Sequence, residues 1–385
     1  MSNPQELPKY DFLVVGAGLY GAVFANRLHR HGLKCLVIEK RHHPGGNVYC
    51  ENVEDINVHK YGPHIFHTNN KQIWKFVNDF TEFNRFTYSP LANYNGELFS
   101  LPFNMNTFRQ LWGIKTPDEA LQMIKKQRKP FRKTTPKNLE EQALSLVGKD
   151  IYETLIKGYT EKQWGCKATE VPAFIIKRLP LRLTFDNNYF NDRFQGIPVE
   201  GYNNIIKSLL KDIPIKTSVN YFEDRHYFNS VVQNILFTGC IDEFFDYEFG
   251  QLDYRSLRFE TQFLEKENYQ GVAAVNFTNR EVPFSRIIEH KHFEFGKQPH
   301  TIITKEFPES FNHNNEPFYP VNDSKNNCLF EKYKKKAASF PKLHFGGRLG
   351  HYKYYNMDEV IEKALEHANQ AINTNAEKAN PFNLN

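Results

Sequence analysis

The chain has 385 residues and a formal net charge of +5 at pH 7, with a mass of 45.3 kDa and a pI near 8.7. At roughly 150 residues per domain, this length predicts two or three domains rather than one hydrophobic core. Hydrophobic residues make up 40% and charged residues 24% of the chain, and the mean hydropathy is -0.61. This composition excludes a disordered chain and a membrane-embedded one.

Three sequence features bear on membrane, metal and nucleic-acid binding. The longest apolar stretch, FLVVGAGLYGAVFA at 12–25, is shorter than the ~20 residues that cross a bilayer and lacks the basic start of a signal peptide. Five scattered cysteines form no C-x-x-C pair, which predicts reduced thiols and no metal site. The basic run KKQRKPFRKTTPK at 125–137 is typical of a solvated loop. We therefore expect a cytoplasmic protein without membrane or nucleic-acid partners.

The first elements in the chain predict a βαβ unit. YDFLVV at 10–15 has the composition of a buried strand, and an amphipathic helix follows near Leu19–Arg30. KCLVIE at 34–39 is the next strand. A strand, a helix and a second strand in this order open a doubly wound α/β sheet.

The turn between the first strand and the helix predicts a dinucleotide site. Gly16, Gly18 and Gly21 have the G-x-G-x-x-G spacing that lets a helix N-terminus approach a pyrophosphate. Glu39 follows at the end of the second strand, where a carboxylate accepts hydrogen bonds from ribose hydroxyls. The glycine pair of EKRHHPGGN, at 39–47, resembles the second glycine signature of FAD enzymes, which favours FAD over NAD.

The rest of the chain divides by the period of its hydrophobic pattern. Helical periodicity runs from about 107 to 177, with Thr116 and Asn138 as expected N-caps. Short alternating runs between 244 and 319 predict strands. The segment at 342–372 has the pattern of a strand, a Gly-Gly turn and a helix that begins near Asn356–Asp358. This late strand and helix predict that the C-terminus returns to the nucleotide domain.

Seven motifs together resemble one family. They are YGPHIFHT (61–68), GYTEKQWG (158–165), KRLPLR (177–182), DNNYF (186–190), VPFSRIIEHKHF (282–293), FYP (318–320) and GGRLGHYKYY (346–355). In this order they resemble bacterial UDP-galactopyranose mutase over residues 10–372. The resemblance implies an α/β fold, with a Rossmann-like FAD-binding domain, an inserted helical bundle and an antiparallel β-sheet domain.

The resemblance also implies an approximate division into domains. The FAD-binding domain would comprise residues 1–80, 200–245 and 325–385. The helical domain, with its mobile substrate loop, would comprise residues 105–185. The sheet domain would take residues 81–104, 186–199 and 246–324.

The activity implied by the resemblance is the reversible isomerisation of UDP-galactopyranose and UDP-galactofuranose for galactofuranose-containing glycans. FAD acts there in its reduced form, and N5 of the flavin bonds to the anomeric carbon to give an iminium. The resemblance further implies a flavin reductant and a homodimer. An amine-oxidase-type FAD oxidoreductase and a flavin-carrying sensor remain open alternatives.

Matching the motifs residue by residue implies three sets of site residues. The catalytic set is His67, Arg178 and Arg286. The substrate-binding set adds Tyr88, Tyr159, Trp164, Tyr189, Asn276, Tyr319 and Tyr354. The cofactor-binding set is Gly16, Gly18, Tyr20, Gly21, Glu39, Gly46, Asn47, His64, Ile65, His67, Arg348, Tyr355, Asn356 and Met357.

Four of these residues leave questions open. His64 and His67 could ligate a metal, but no third ligand accompanies them at the required spacing, so we interpret His67 as a group beside flavin N5 and His64 as a flavin contact. Members of the family commonly have asparagine where Tyr88 stands and aspartate where Asn356 stands. The first departure leaves the sugar scope open, including an N-acetylated sugar, and the second removes a carboxylate near the flavin.

Overall fold

The protein is described by a computed structural model that covers residues 9–131, 135–176 and 181–379. The strands are β1 (Tyr10–Val15), β2 (Cys35–Ile38), β3 (Cys50–Val53), β4 (Ile56–His59), β5 (Phe66–Thr68), β6 (Leu91–Tyr94), β7 (Glu97–Ser100), β8 (Phe194–Gly196), β9 (Ile215–Lys216), β10 (Val232–Phe237), β11 (Tyr254–Leu264), β12 (Ala274–Phe277), β13 (Arg286–Glu289), β14 (Thr301–Ser310), β15 (Tyr319–Pro320) and β16 (Leu343–Phe345).

The helices follow the same chain order. They are α1 (Leu19–His29), α2 (Lys71–Asn78), α3 (Met105–Trp112), α4 (Pro117–Arg128), α5 (Leu139–Val147), α6 (Lys149–Ile151), α7 (Lys157–Trp164), α8 (Asn203–Leu209), α9 (Arg225–Val231), α10 (Ile241–Phe244), α11 (Ser324–Ala337), α12 (Gly347–Gly350) and α13 (Met357–Ala379).

A parallel five-stranded sheet forms the nucleotide-binding half, in the order β16-β10-β1-β2-β9. Its strands come from three distant parts of the chain, and β10 lies between β1 and β16. Helices α1, α8 and α13 contribute to the core on one face of this sheet, where Ala22, Val23 and Ala364 are fully buried. The predicted βαβ opening and the return of the C-terminal strand and helix to this sheet are confirmed.

The second sheet has seven strands in the order β15-β11-β14-β13-β12-β6-β7. Neighbouring strands in this sheet are antiparallel, except that β12 and β6 are parallel. The predicted α/β fold with an antiparallel sheet domain is therefore confirmed. The residue boundaries predicted for the three domains remain a prediction.

The helical region carries the two predicted N-caps. Thr116 accepts a hydrogen bond from the Glu119 backbone, and Glu119 accepts one from the Thr116 backbone, which makes a capping box. The Asn138 side chain accepts from the Glu141 backbone at 3.0 Å. After α6 the chain makes a π turn, at Tyr152–Ile156, before it continues as α7. Such an insertion rotates the following helix, and it is frequent near functional sites.

Helix α7 is fastened to the antiparallel sheet. A side chain at Gly158 would lie 2.2 Å from the Thr278 carbonyl, so only glycine allows this approach. The ammonium of Lys162 donates to three backbone carbonyls, of Phe277, Val282 and Phe284, at 2.7–3.1 Å. These contacts fix α7 against the ends of β12 and β13.

No helix in the described part of the chain is long and apolar enough to cross a membrane.

Candidate functional site

The glycine turn after β1 leaves no room for larger residues. Gly16 has φ +106, and a Cβ there would lie 2.0 Å from the Thr238 hydroxyl oxygen. A Cβ on Gly21 would lie 2.0 Å from the Gly16 carbonyl, and one on Gly46 would lie 2.8 Å from the Gly18 Cα. The two predicted glycine signatures therefore touch each other and leave bare backbone along one wall of a cleft.

Glu39 is anchored at the end of β2. It is 6% exposed, and its two carboxylate oxygens accept hydrogen bonds from the backbones of Ala17 (2.8 Å) and Arg41 (3.0 Å). Each carboxylate oxygen keeps a further lone pair, so Glu39 can still accept hydrogen bonds from a ribose. The carboxylate thus holds the glycine turn in place and faces the same cleft.

The cleft encloses about 350 Å³, and five of the predicted cofactor residues line it: Gly16, Gly18, Glu39, Gly46 and Asn47. Phe311, His313 and Pro317 line the opposite side. Arg41 joins the two sides, because its Nη2 donates to Asn47 at 3.1 Å and its Nε donates to Glu316 at 3.1 Å. The Arg41 guanidinium also lies 4.0 Å from the centre of the Tyr61 ring.

His64 is a buried residue near two arginines, Arg348 and Arg286. Its Nδ1 is 2.9 Å from the Gly62 carbonyl and can only donate there. Burial, with smaller contributions from the positive charges of Arg348 and Arg286, lowers the pKa of His64 to about 4 against the opposing effect of the Gly62 bond. His64 is therefore neutral at neutral pH, with its proton on Nδ1.

A second cavity, of about 250 Å³, lies between the helical region and the antiparallel sheet. Its apolar lining includes Leu101, Phe103, Ile156 and Ile176, and its polar lining includes Tyr159, Thr160, Tyr189, Asn276 and Thr278. Within the described ranges, the buried Oδ1 of Asn276 has no hydrogen-bond partner. An unsatisfied buried acceptor facing a cavity is a site for a ligand donor.

Arg286 lies beside this cavity at the start of β13. Its Nη2 donates to the Tyr159 hydroxyl at 2.9 Å, while its buried Nε finds no acceptor among the residues that the structure describes. Strand pairing places Asn276 on one side of Arg286 and Glu306 on the other. Burial alone would lower the pKa of Arg286, but Tyr159 and Glu306 raise it well above its ordinary value. Arg286 is therefore protonated at neutral pH, and its Nε–H is available to donate a hydrogen bond to an anion.

Three further predicted residues, all tyrosines, lie near Arg286 or Arg348. Tyr88 is 7% exposed, and burial raises its pKa, which the charge of Arg286 partly offsets. Burial and then Glu306 raise the pKa of Tyr319, whose ring centre is 5.7 Å from that of Tyr354. The Arg348 guanidinium lies 5.0 Å from the Tyr354 ring centre. At neutral pH the phenols of Tyr88 and Tyr319 are therefore uncharged hydrogen-bond donors close to these cations.

Several predicted residues have side chains engaged elsewhere. The Tyr20 hydroxyl contacts His367 on α13 at 3.0 Å, and the Tyr355 hydroxyl contacts His351 at 3.2 Å. Ile65 and Met357 are buried in hydrophobic cores, Trp164 packs against the helical core, and Asn356 is exposed at the start of α13. A contact of Tyr20 with a cofactor would thus use its backbone. Arg178 lies outside the described residues.

Three site residues escaped the sequence reasoning. Glu306 is 3% exposed and accepts from Ser285 at 2.9 Å opposite Arg286, but a glutamate in an alternating strand pattern predicts an exposed position. Asp192 binds His67, and Phe190 stacks on it. DNNYF, quoted for Tyr189, ends at Phe190, and Asp192 lies two residues further on. The pairing of β5 with β8 was needed to connect both residues to His67.

The histidine pair at 64 and 67 was weighed as a metal site. Within the parts of the chain that the structure describes, no three His, Cys, Asp or Glu side chains are grouped to hold a metal ion. His64 is bonded to a backbone carbonyl and His67 to a carboxylate, so each Nδ1 has a different partner.

A parallel sheet with a glycine-walled cleft at its strand ends, joined to a large antiparallel sheet, defines an α/β dinucleotide-binding protein of the flavoenzyme type. The residues fit such a cofactor, because the bare glycine backbone and Glu39 are the features that a pyrophosphate and a ribose require.

Comparison with known proteins gives the family. The family model for UDP-galactopyranose mutase matches residues 154–354, and that for NAD(P)-binding Rossmann-like domains matches residues 14–80. The chain is 38% identical to the dTDP-fucopyranose mutase of Escherichia coli over 374 residues, which cover 95% of this chain and 99% of that protein. It is also 38% identical to a Klebsiella pneumoniae protein described as a probable UDP-galactopyranose mutase, with 94% and 95% covered.

A solved structure agrees in fold. The crystal structure of a reduced UDP-galactopyranose mutase matches with a TM-score of 0.74 at 16% identity, over 98% of this chain and 97% of that one. The chain belongs to the UDP-galactopyranose mutase family, and the mutases in it are isomerases. The family predicted from the seven motifs is confirmed.

Proposed function

We propose that the protein isomerises UDP-galactopyranose and UDP-galactofuranose on bound, reduced FAD and so supplies galactofuranose for glycans. The observation that carries this proposal is Arg286, a buried cation with an unsatisfied Nε, next to Asn276 with an unsatisfied Oδ1. An anion with neighbouring hydroxyl groups would satisfy both residues. A nucleoside diphosphate sugar has this combination.

FAD would be held by Gly16, Gly18, Glu39, Gly46 and Asn47, and its reduced ring would supply the electron-rich nitrogen that replaces the pyrophosphate at the anomeric carbon. His64, neutral and bonded through Nδ1, would contact the ring edge without adding a charge. His67 would lie beside the reacting nitrogen.

The substrate would extend from the cofactor into the second cavity. Tyr159 and the apolar wall would receive the uracil. Arg286, together with the phenols of Tyr189, Tyr319 and Tyr354, would hold the phosphates, because a guanidinium fork matches phosphate oxygens. Positive charge at this point stabilises the departing UDP more than the bound sugar nucleotide, which favours cleavage of the bond at the anomeric carbon. Arg178, which lies outside the described residues, would add a second cation.

The test of the reaction uses purified protein with FAD reduced anaerobically by dithionite. Conversion of UDP-galactofuranose to the pyranose without flavin reoxidation would support the mutase. Turnover that requires an electron acceptor would support the amine-oxidase alternative, and the absence of any turnover would support the sensor. Cyanoborohydride added during turnover should trap sugar covalently on the flavin, and a failure to trap it would contradict the role given to FAD.

A second candidate substrate is dTDP-fucopyranose, the sugar nucleotide in the name of the E. coli relative. The apolar wall of the second cavity, formed by Leu101, Phe103 and Ile156 among others, could pack against the methyl group of thymine. Competition between the two sugar nucleotides in one assay decides between them. A ratio of kcat/KM above ~10 in favour of either substrate, equivalent to about 1.4 kcal/mol, would name it.

A homodimer and a dedicated flavin reductant complete the proposal. Sedimentation of the FAD-loaded protein tests the first. The second can be tested by measuring the rate at which reduced nicotinamide nucleotides restore activity after air oxidation.

A further inference from the structure

The proposed site contains a histidine whose orientation is set by a carboxylate that no motif predicted. His67 Nδ1 lies 2.7 Å from Asp192 Oδ2, and their side chains are only 16% and 23% exposed. Asp192 is fixed in turn, because its other oxygen accepts from the Asn69 amide. The side-chain Oδ1 of Asn69 accepts a hydrogen bond from the backbone N–H of Arg193 at 2.9 Å. The carboxylate therefore has little freedom to move away from His67.

The imidazole plane is fixed by a second contact at right angles to the first. The Phe190 ring stacks on His67 with centres 3.7 Å apart and planes 15° apart. Phe190 stacks in turn on Tyr88, at 5.7 Å and 26°. Tyr88 is the buried phenol beside Arg286. Asp192 thus holds the edge of the His67 ring, and an aromatic stack that ends at Tyr88 holds its face; Tyr88 in turn contacts Tyr189, which lines the second cavity.

An ionised carboxylate accepts hydrogen bonds and cannot donate them, so the atom that faces Asp192 must be Nδ1–H. In neutral His67 the lone pair is then on Nε2, the opposite corner of the ring. Among the described residues, Nε2 of His67 has no hydrogen-bond partner. The ring keeps some exposure at the site. A free histidine side chain favours the opposite tautomer, with the proton on Nε2. The Asp192 carboxylate therefore selects the tautomer that is less favoured in solution.

We propose that Asp192 is a positioning residue, which locks His67 in the Nδ1–H tautomer and leaves Nε2 as the atom that accepts, holds and returns a proton at the cofactor edge. The catalytic meaning of this arrangement rests on the proposed function. The tautomer itself does not. A purely structural bridge between β5 and the segment before β8 would need the same hydrogen bond, but it would not need His67 Nε2 to be free.

The first experiment reads the tautomer directly. Nitrogen-15 NMR of the imidazoles is recorded at neutral pH on FAD-free and FAD-loaded protein, with His67 assigned by its loss in His67→Gln. We expect the Nδ1–H pattern in the wild-type protein and a shift towards the Nε2–H pattern in Asp192→Ala. A wild-type signal with the proton on Nε2 would overturn the proposal without recourse to any variant.

The second experiment separates positioning from structure. In the isomerisation assay, Asp192→Ala should lower kcat by about tenfold or more, a part of the ~10²–10⁴ that a general acid or base contributes, with little change in KM. In the His67→Gln background, Asp192→Ala should cause no further loss. Glu331→Ala, which removes an exposed carboxylate paired with Lys334, is the matched control and should retain wild-type kcat.

An additive loss in the double variant, or an unchanged kcat in Asp192→Ala, would overturn the positioning role. If wild-type protein does not isomerise the sugar nucleotide at all, the proposed function fails. The NMR experiment would still give the tautomer in that case, so the two failures can be told apart.

Discussion

The cleft walled by glycines and the second cavity, between the helical region and the antiparallel sheet, differ in the chain atoms that form their walls. The cleft wall is mostly backbone, from glycines within residues 16–46, and its shape follows from φ values and close approaches. The cavity wall consists of side chains from distant segments, with Tyr159 on a helix and Asn276 and Arg286 on strands. The first site is a property of a short segment, whereas the second exists only once the helical region packs on the sheet.

The largest effect is expected from a substitution that disrupts the cleft and leaves the second cavity intact. Gly16→Ala would place a Cβ 2.0 Å from the Thr238 hydroxyl in a backbone of φ +106, so we expect loss of bound flavin by the absorbance of the purified protein. Gly96→Ala is the control, because Gly96 also has a positive φ, of +87, but open space around it. It should remain fully loaded, and a colourless Gly96→Ala protein would show that backbone strain, not crowding, removes the cofactor.

The next largest effect is expected from a substitution beside the second cavity that leaves the cleft intact. Arg286→Lys keeps a positive charge near Glu306 but loses the guanidinium fork and the 2.9 Å bond to Tyr159. We expect kcat/KM to fall by about 10- to 150-fold, equivalent to ~1.5–3 kcal/mol for a charged hydrogen bond, at unchanged flavin content. Arg258→Lys, at an exposed arginine paired with Glu309, should behave as wild type. Near-wild-type turnover of Arg286→Lys would remove the fork from the mechanism.

A pH experiment concerns two buried histidines, His64 near Arg286 and Arg348, and His290 just after β13. Burial lowers the pKa of His290 to about 3, with slight opposition from Glu289, as it lowers that of His64 to about 4. Between pH 6.5 and 4 each of these histidines is protonated in the unfolded chain but stays largely neutral in the folded chain. The free energy of unfolding therefore falls as the pH falls. Each histidine should cost about 3 kcal/mol over this range.

His290→Gln should therefore lose less unfolding free energy between pH 6.5 and 4 than the wild-type protein, by urea denaturation of FAD-free protein. His31→Gln, at an exposed position, should keep the wild-type pH dependence. Bound UDP should flatten the pH dependence only if His64 contributes, because its neighbours Arg348 and Arg286 would then face an anion. The same pH dependence in His290→Gln and wild type would contradict the assignment of His290 as a buried neutral group.

The smallest effect is expected from a substitution of Asn276, which should stabilise the fold but weaken binding of the sugar nucleotide. Asn276 keeps a buried carbonyl oxygen without a partner in the described chain. Asn276→Leu, similar in volume, removes this unsatisfied group, so the free energy of unfolding should rise by up to about 1 kcal/mol. KM for the sugar nucleotide should rise several-fold in the same variant. A fall in both stability and affinity would show that Asn276 is structural.

The sequence was most informative where function depends on the backbone. Both glycine signatures and Glu39 could be placed correctly because their spacing encodes a turn, a helix start and a strand end. The helix caps Thr116 and Asn138 followed from the same local logic. These features depend on residues within a few positions of each other, and tertiary packing does not change them.

The cavity was less accessible to sequence reasoning. Its residues could be chosen only by resemblance to a family, because nothing local relates Tyr159 to Arg286, which are 127 positions apart. Glu306 was missed because its burial depends on pairing of β13 with β14. Asp192 was missed because His67 meets it through pairing of β5 with β8. Long-range strand pairing is the information that a single sequence lacks.

The order of strands in the parallel sheet also bears on how the protein is made. Strand β1 emerges from the ribosome well before its neighbour β10, which follows only after the helical region and two of the seven strands of the other sheet, since Tyr10 pairs with Val232. At ~5–20 residues per second, an open strand edge waits on the order of 10 to 45 seconds for its partner during synthesis. We therefore expect fragments truncated before β10 to aggregate rather than bind cofactor, because one edge of β1 stays unpaired in them.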